Sequence, residues 1–118
     1  IKQNRKIKPK SKYAGKLIER ENYKHYRTLC EFSLSKKDLP KIKGVELLQK
    51  LRMWSITNRN GVVRDHIYSV KNGFLNNVKP EIIKHPANCQ FLLQKDNSKK
   101  NCKNEISLTD LKKKIKNW

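Results

Sequence analysis

Arg59-Asn60-Gly61-Val62-Val63-Arg64-Asp65-His66-Ile67-Tyr68-Ser69-Val70 holds both the strongest local folding signal in the chain and its densest chemistry. Asn-Gly is a strong short-range hairpin signal, because both residues tolerate the positive φ of a two-residue turn. Here it lies between Trp54-Ser55-Ile56-Thr57 and Val62 to Val70, two flanks rich in β-branched and aromatic residues. The pattern predicts a β-hairpin whose second strand carries Asp65 and His66 and stops at Lys71-Asn72-Gly73.

Upstream of the turn, Val45, Leu47, Leu48, Leu51 and Trp54 recur at helical spacing. They predict a helix over 45–54 with Trp54 in the core. Residues 35–44 read as a loop broken by Pro40 and Gly44, and Tyr23, Tyr26 and Cys30 suggest a short helix within 23–34. Downstream, 74–87 reads as a connection with a helical turn after Pro80. His85-Pro86 returns the chain to an extended form, and 88–93 leads into a helix over 94–100. Ser107-x-x-Asp110 resembles a capping box ahead of Leu108, Leu111, Ile115 and Trp118, so a terminal helix is expected from about 108. The fold class is therefore α+β. A small β-hairpin packs on a helix, with flanking helices, one domain over 23–118 and a basic N-terminal arm over 1–22.

The 118 residues suffice for one small domain, and a hydrophobic share of 36% predicts a modest core. Twenty-nine Lys and Arg face ten Asp and Glu, a formal net charge of +19. Self-repulsion at that density is relieved by a polyanion, and nucleic acid gains affinity from each counterion it releases. No apolar run approaches the roughly 18 residues that span a bilayer, and no basic amphipathic helix has the apolar face that surface binding wants. No membrane and no small-molecule substrate are expected. Cys30, Cys89 and Cys102 form an odd set without a close pair, which argues for a reducing compartment and for packing roles.

Phosphodiester hydrolysis needs a base for the attacking water and a cation for the charge on phosphate and leaving group. A hard ion such as Mg²⁺ takes oxygen ligands and keeps several waters, so one or two protein oxygens suffice. Asp65 can supply a carboxylate, and His66 titrates near neutral pH and can act as the base. Asn97, on the helix after Lys95-Asp96, can offer an amide oxygen. Arg64, Lys95, Lys99 and Lys100 flank this centre and are candidate phosphate contacts.

Arg64-Asp65-His66, His85-Pro86-Ala87-Asn88-Cys89 and Asp96-Asn97-Ser98-Lys99-Lys100, in this order, resemble the signature of HNH (ββα-metal, His-Me finger) endonucleases. The resemblance is closest to phage and intron-encoded homing endonucleases, runs from about Tyr26 to Trp118, and includes Ser107 to Leu111. It implies a ββα-metal core and a metal-dependent DNA endonuclease that nicks or cuts duplex DNA. Asp65 and Asn97 would bind one divalent ion, Mg²⁺ first and Mn²⁺ second. His66 would activate water, and Asn88 would pin the loop and orient His66 by hydrogen bonding. The setting implied is cytoplasmic, in a phage-infected bacterial cell or comparable compartment. The Cys-x-x-Cys zinc clamp of many such proteins is missing, so Trp54, Phe91 and the flanking helices must support the motif and structural zinc is not expected. Adjacent strand residues point to opposite faces, so Asp65 and His66 can serve one phosphate only where the strand ends or twists.

Two other readings compete. A non-catalytic basic nucleic-acid binder explains the charge equally well but has no use for the Asp65-His66, Asn88 and Asn97 set. A zinc-binding interaction module would need the three isolated cysteines. His85 reads as structural, His25 as partly exposed, and Asn101 as a helix cap.

Overall fold

The computed structural model describes residues 12–100 and 103–118, so the first half of the basic arm, Asn101 and Cys102 lie outside the described residues. The chain is α+β. Its elements are α1 (Lys12–Leu29), α2 (Val45–Leu51), β1 (Val62–His66), α3 (Val70–Leu75), α4 (Pro80–Ile83), β2 (Cys89–Leu93), α5 (Gln94–Lys100) and α6 (Leu108–Lys116). Short 3₁₀ turns occupy Leu39–Lys41 and Pro86–Asn88. Among the described residues no helix is long and apolar enough to cross a membrane.

The sheet has two antiparallel strands, with Val62 opposite Leu93, Asp65 opposite Gln90 and His66 opposite Cys89. The partner of β1 is thus not 54–57. That segment turns on itself: Ser55 and Asn58 exchange backbone bonds of 3.2 and 3.0 Å. The Asn58 amide donates to the carbonyls of Leu51 and Met53. Only a parallel bridge joins Met53 to Val62. Gly61 serves this close approach rather than a positive-φ turn, since a Cβ there would lie 2.5 Å from the Met53 carbonyl carbon. The true partner was hidden because Cys89-Gln90-Phe91-Leu92-Leu93 runs without a break into α5. A short, largely apolar run of this kind is compatible with either a buried strand or the start of a helix.

Residues 67–88 connect the strands. Ser69 caps α3 by accepting a hydrogen bond from the Asn72 N–H at 3.1 Å, so the extended run ends at His66 and its continuation becomes helix. Pro80 opens α4 from its first turn. His85 Nδ1 accepts from the Ala87 N–H at 3.0 Å, capping the 3₁₀ turn. α1 is longer than the short helix read around 23–34 and passes through the expected boundary at residue 22. At the other end, Ser107 caps α6 by accepting from the Asp110 N–H at 3.1 Å.

Two core clusters hold these pieces. Cys30, Tyr68, Val78, Ile83 and Leu111 join α1, the connection and α6. Ile42, Val62, Cys89 and Phe91 join the sheet to α2 and to Trp118. Phe91 supports the motif as expected, whereas Trp54 is 37% exposed and lies outside both clusters. It follows the end of α2 at Arg52, whose φ of 63° and ψ of 177° fall in a region that is essentially glycine's own.

Arg52→Gly is therefore expected to raise stability by about 1 kcal/mol, relief of strain outweighing the entropy of the freer unfolded chain. Gly61→Ala is expected to lower it by about 2 kcal/mol, within the range for overpacking against backbone. Urea unfolding midpoints of the two variants check both signs.

Candidate functional site

The C-terminal end of β1 places Asp65 and His66 side by side, and each is held by different neighbours. Asp65 is 8% exposed. Its Oδ2 accepts a 2.8 Å hydrogen bond from Gln90 Nε2, across the strand pair, and lies 3.3 Å from Lys100 Nζ on α5. Both protein contacts fall on Oδ2, so among the described residues Oδ1 has no protein partner. Gln90 Nε2 also donates to Glu105 Oε1 at 2.6 Å, and Gln90 Oε1 is buried without a partner.

His66 turns the other way, toward the end of α1. Its Nε2 lies 2.9 Å from the Cys30 carbonyl oxygen, and its ring stacks on Phe32 at 4.0 Å and 19°. A carbonyl can only accept, so Nε2 carries the hydrogen and the neutral ring keeps its lone pair on Nδ1. Burial pulls the imidazole pKa below its ordinary value. The Cys30 carbonyl and the Asp65 carboxylate oppose the shift, while Lys100 and Arg64 add to it. The ring is therefore neutral at pH 7.

Asp65, His66 and Asn97 line one polar cavity of about 350 Å³, together with Arg64 and Lys100. A second cavity of about 470 Å³, between Lys24, Arg27 and Glu31, also borders His66. The opposed directions of two adjacent strand residues are thus reconciled at the strand end, where Asp65 leans on β2 and α5 and His66 leans on α1.

Asn88 is fully buried and lies below the cavity wall rather than on it. Its Oδ1 accepts from the Tyr68 N–H at 2.7 Å, and its Nδ2 donates to the carbonyls of Tyr68 and Ile83 at 3.1 and 2.9 Å. The expected pinning of the loop is present. The expected hydrogen bond from Asn88 to His66 is not formed; His66 Nε2 bonds to the Cys30 carbonyl instead.

The four cations read as phosphate contacts separate. Arg64 is exposed on the cavity. Lys100 is not a free surface charge: it is 9% exposed, pairs with Asp65 and donates to the His66 carbonyl at 2.9 Å. Its position one helical turn after Asn97 carries it beneath the sheet. Lys95 faces a different cavity of about 430 Å³ beside Leu51, Arg59 and Leu93. Lys99 is exposed and lines neither.

Five lining residues were not singled out as site residues from the sequence, namely Tyr23, Arg27, Ser69, Val70 and Lys71. Arg27 lines both cavities that border His66. The Arg27 guanidinium and the Lys71 ammonium lie 5.9 and 5.1 Å from the Tyr23 ring centroid. The Tyr23 to Arg27 spacing of one helical turn was visible, but its meaning depends on α1 packing against α3 through Tyr23 and Phe74, whose rings are 5.3 Å apart.

Among the described residues no group of three or more His, Cys, Asp or Glu side chains forms a metal cluster. Cys30 and Cys89 are free and buried in different clusters. Burial pushes the Cys89 thiol up to about 12, so it packs as a neutral group. What the cavity offers a cation is the Asp65 carboxylate and the Asn97 amide, hard oxygen donors with room for water. That donor set fits Mg²⁺ or Mn²⁺ and does not fit a soft-ligand metal.

No protein-family model, curated protein or solved structure matches the chain.

The ring geometry gives a direct expectation. ¹⁵N spectra of His66 in metal-free protein show the Nε2–H tautomer, and the ring titrates below pH 6.5. The unfolded chain takes up this proton first, so the stability contributed by neutral His66 is complete above pH 6.5. It is lost as pH falls toward the folded-state pKa. Titration above 6.5 contradicts the arrangement.

Proposed function

We propose that the chain is a metal-dependent DNA endonuclease of the HNH type, hydrolysing phosphodiester bonds in the manner of phage and intron-encoded homing endonucleases. The observation that carries the reading is a neutral imidazole with its Nδ1 lone pair uncommitted, on the wall of a cavity that also presents Asp65 and Asn97. The order of the three motif segments and the charge of +19 support it. Free buried thiols suit a reducing compartment such as a bacterial cytoplasm.

In this reading Asp65 and Asn97 would hold one divalent ion. When bound, the ion stabilises negative charge on the phosphate and on the leaving 3′-oxygen. His66 Nδ1 removes the proton of the attacking water. The Cys30 carbonyl fixes the tautomer, and its dipole stabilises the imidazolium that results. Phe32 keeps the ring plane in place. Arg27, Arg64 and Lys71 bind phosphate oxygens of the backbone, Lys100 fixes the Asp65 carboxylate, and Asn88 holds the connection that follows β1.

One observation favours a second reading, a nucleic-acid binder without catalysis. The Lys100 ammonium already neutralises Asp65, which weakens the carboxylate's claim on a metal. That reading expects salt-sensitive binding and intact DNA in Mg²⁺ and Mn²⁺.

Supercoiled plasmid distinguishes them. The wild type is expected to nick it with Mg²⁺ or Mn²⁺ and not with EDTA. His66→Ala is expected to slow cleavage about 10²- to 10⁴-fold with DNA binding retained. Asp65→Asn, which keeps the side-chain shape, is expected to remove metal dependence along with activity. Equal cleavage by His66→Ala, or none by the wild type in either metal, rejects the nuclease reading.

A further inference from the structure

Met53, Trp54 and Ile56, three large apolar side chains, are exposed on one short loop between α2 and β1, with Ile56 75% exposed. None of the three belongs to either core cluster. The loop is nonetheless built, not slack. Trp54 N–H donates to the Val62 carbonyl at 2.8 Å and Val62 N–H to the Arg52 carbonyl at 2.9 Å. The Asn58 side chain ties the Leu51 and Met53 carbonyls together. Arg52 is held at φ 63° and ψ 177°, a conformation that persists only where its surroundings over-determine it. A strained, internally bonded loop that displays apolar groups to solvent is a preorganised contact surface.

Its charge indicates the partner. Residues 47–64 contain Lys50, Arg52, Arg59 and Arg64 and no acid. Arg52 and Arg59 are exposed on the loop itself, and Arg59 shares the 430 Å³ cavity with Lys95. An apolar tip flanked by cations matches a ligand with stacked apolar faces inside and phosphates outside.

We infer that the loop over 52–60 is a DNA wedge, its Trp54–Ile56 tip entering a groove of the duplex between base steps while Arg52 and Arg59 grip the adjoining phosphates. The inference rests on the nuclease reading for the orientation of the DNA and deepens it. β1 links the base of the loop to His66, with four residue rises of strand between Val62 and His66 setting these two roughly 13 Å apart. The wedge therefore distorts DNA at a fixed offset from the cut phosphate, and prefers flexible pyrimidine–purine steps there.

The test uses the full chain with a short duplex in EDTA, where no cleavage intervenes. In a Trp118→Phe background Trp54 is the sole tryptophan, and its emission is expected to be quenched by the duplex. Ile56→Ser is expected to weaken duplex binding about tenfold with the salt slope unchanged. Arg59→Gln is expected to lower that slope by about one. All these side chains but Trp118 are exposed, so thermal midpoints of the loop variants report that the fold is kept. Quenching and the tenfold loss, with no cleavage in Mg²⁺, support the wedge and reject the nuclease. Normal cleavage with neither effect overturns the wedge and leaves the nuclease. Dissociation of a self-associated species by Ile56→Ser in sedimentation overturns it in favour of a second copy of the chain. A Trp54 response to anionic vesicles but not to duplex overturns it in favour of a lipid surface.

Discussion

A single buried amide closes the molecule. Asn88 binds the backbone of Tyr68 on both sides of the residue and the carbonyl of Ile83, while its own carbonyl accepts the Ile67 N–H at 2.8 Å. These bonds clamp the two ends of the connection over 67–88 and set Cys89 opposite His66. Each backbone group left unpaired in such a place costs about 1–3 kcal/mol. The register of the sheet, the start of α5 and the reach of Lys100 to Asp65 all depend on that closure. The polar atoms of the Asn88 side chain are all spent on backbone groups of its own chain.

The residues of the site were legible in the sequence because their chemistry is written in consecutive letters. Arg64-Asp65-His66 and Asp96-Asn97 carry their functional groups whatever the fold around them. The caps at Ser107 and His85 and the turn at Pro80 were legible for a related reason, since they depend on neighbours a few residues away. What could not be read depends on distant partners. Gly61 looks the same in a hairpin turn and in a close backbone approach, and only the position of Met53 tells them apart. Lys100 and Lys99 are adjacent and identical in type, yet one is buried under the sheet and the other is in water. Trp54 continued a helical stripe that Arg52 ends by its backbone conformation, not by a breaker residue. Arg27 lay in a segment read only as a short helix, and its place at the cavity follows from how α1 packs.

The division of labour at the strand end has a physical logic. A carboxylate and an imidazole held by one shared hydrogen bond would act as a coupled pair, with the proton partitioned between them. Here Asp65 is fixed from β2 and α5, whereas His66 is fixed from the end of α1. Separate supports leave the neutral imidazole free of a hydrogen bond to the carboxylate.

The ion pair between Lys100 and Asp65 has a further consequence. Among its described lining residues the cavity sets Arg27, Arg64, Lys71 and Lys100 against one carboxylate, so it is electropositive before any polyanion arrives. A dication approaching it alone climbs a potential hill. A phosphate in the same place turns the hill into a well. In the nuclease reading substrate and ion therefore strengthen one another by the same factor. The chain then resembles a two-key lock, inert toward water until both occupants are seated.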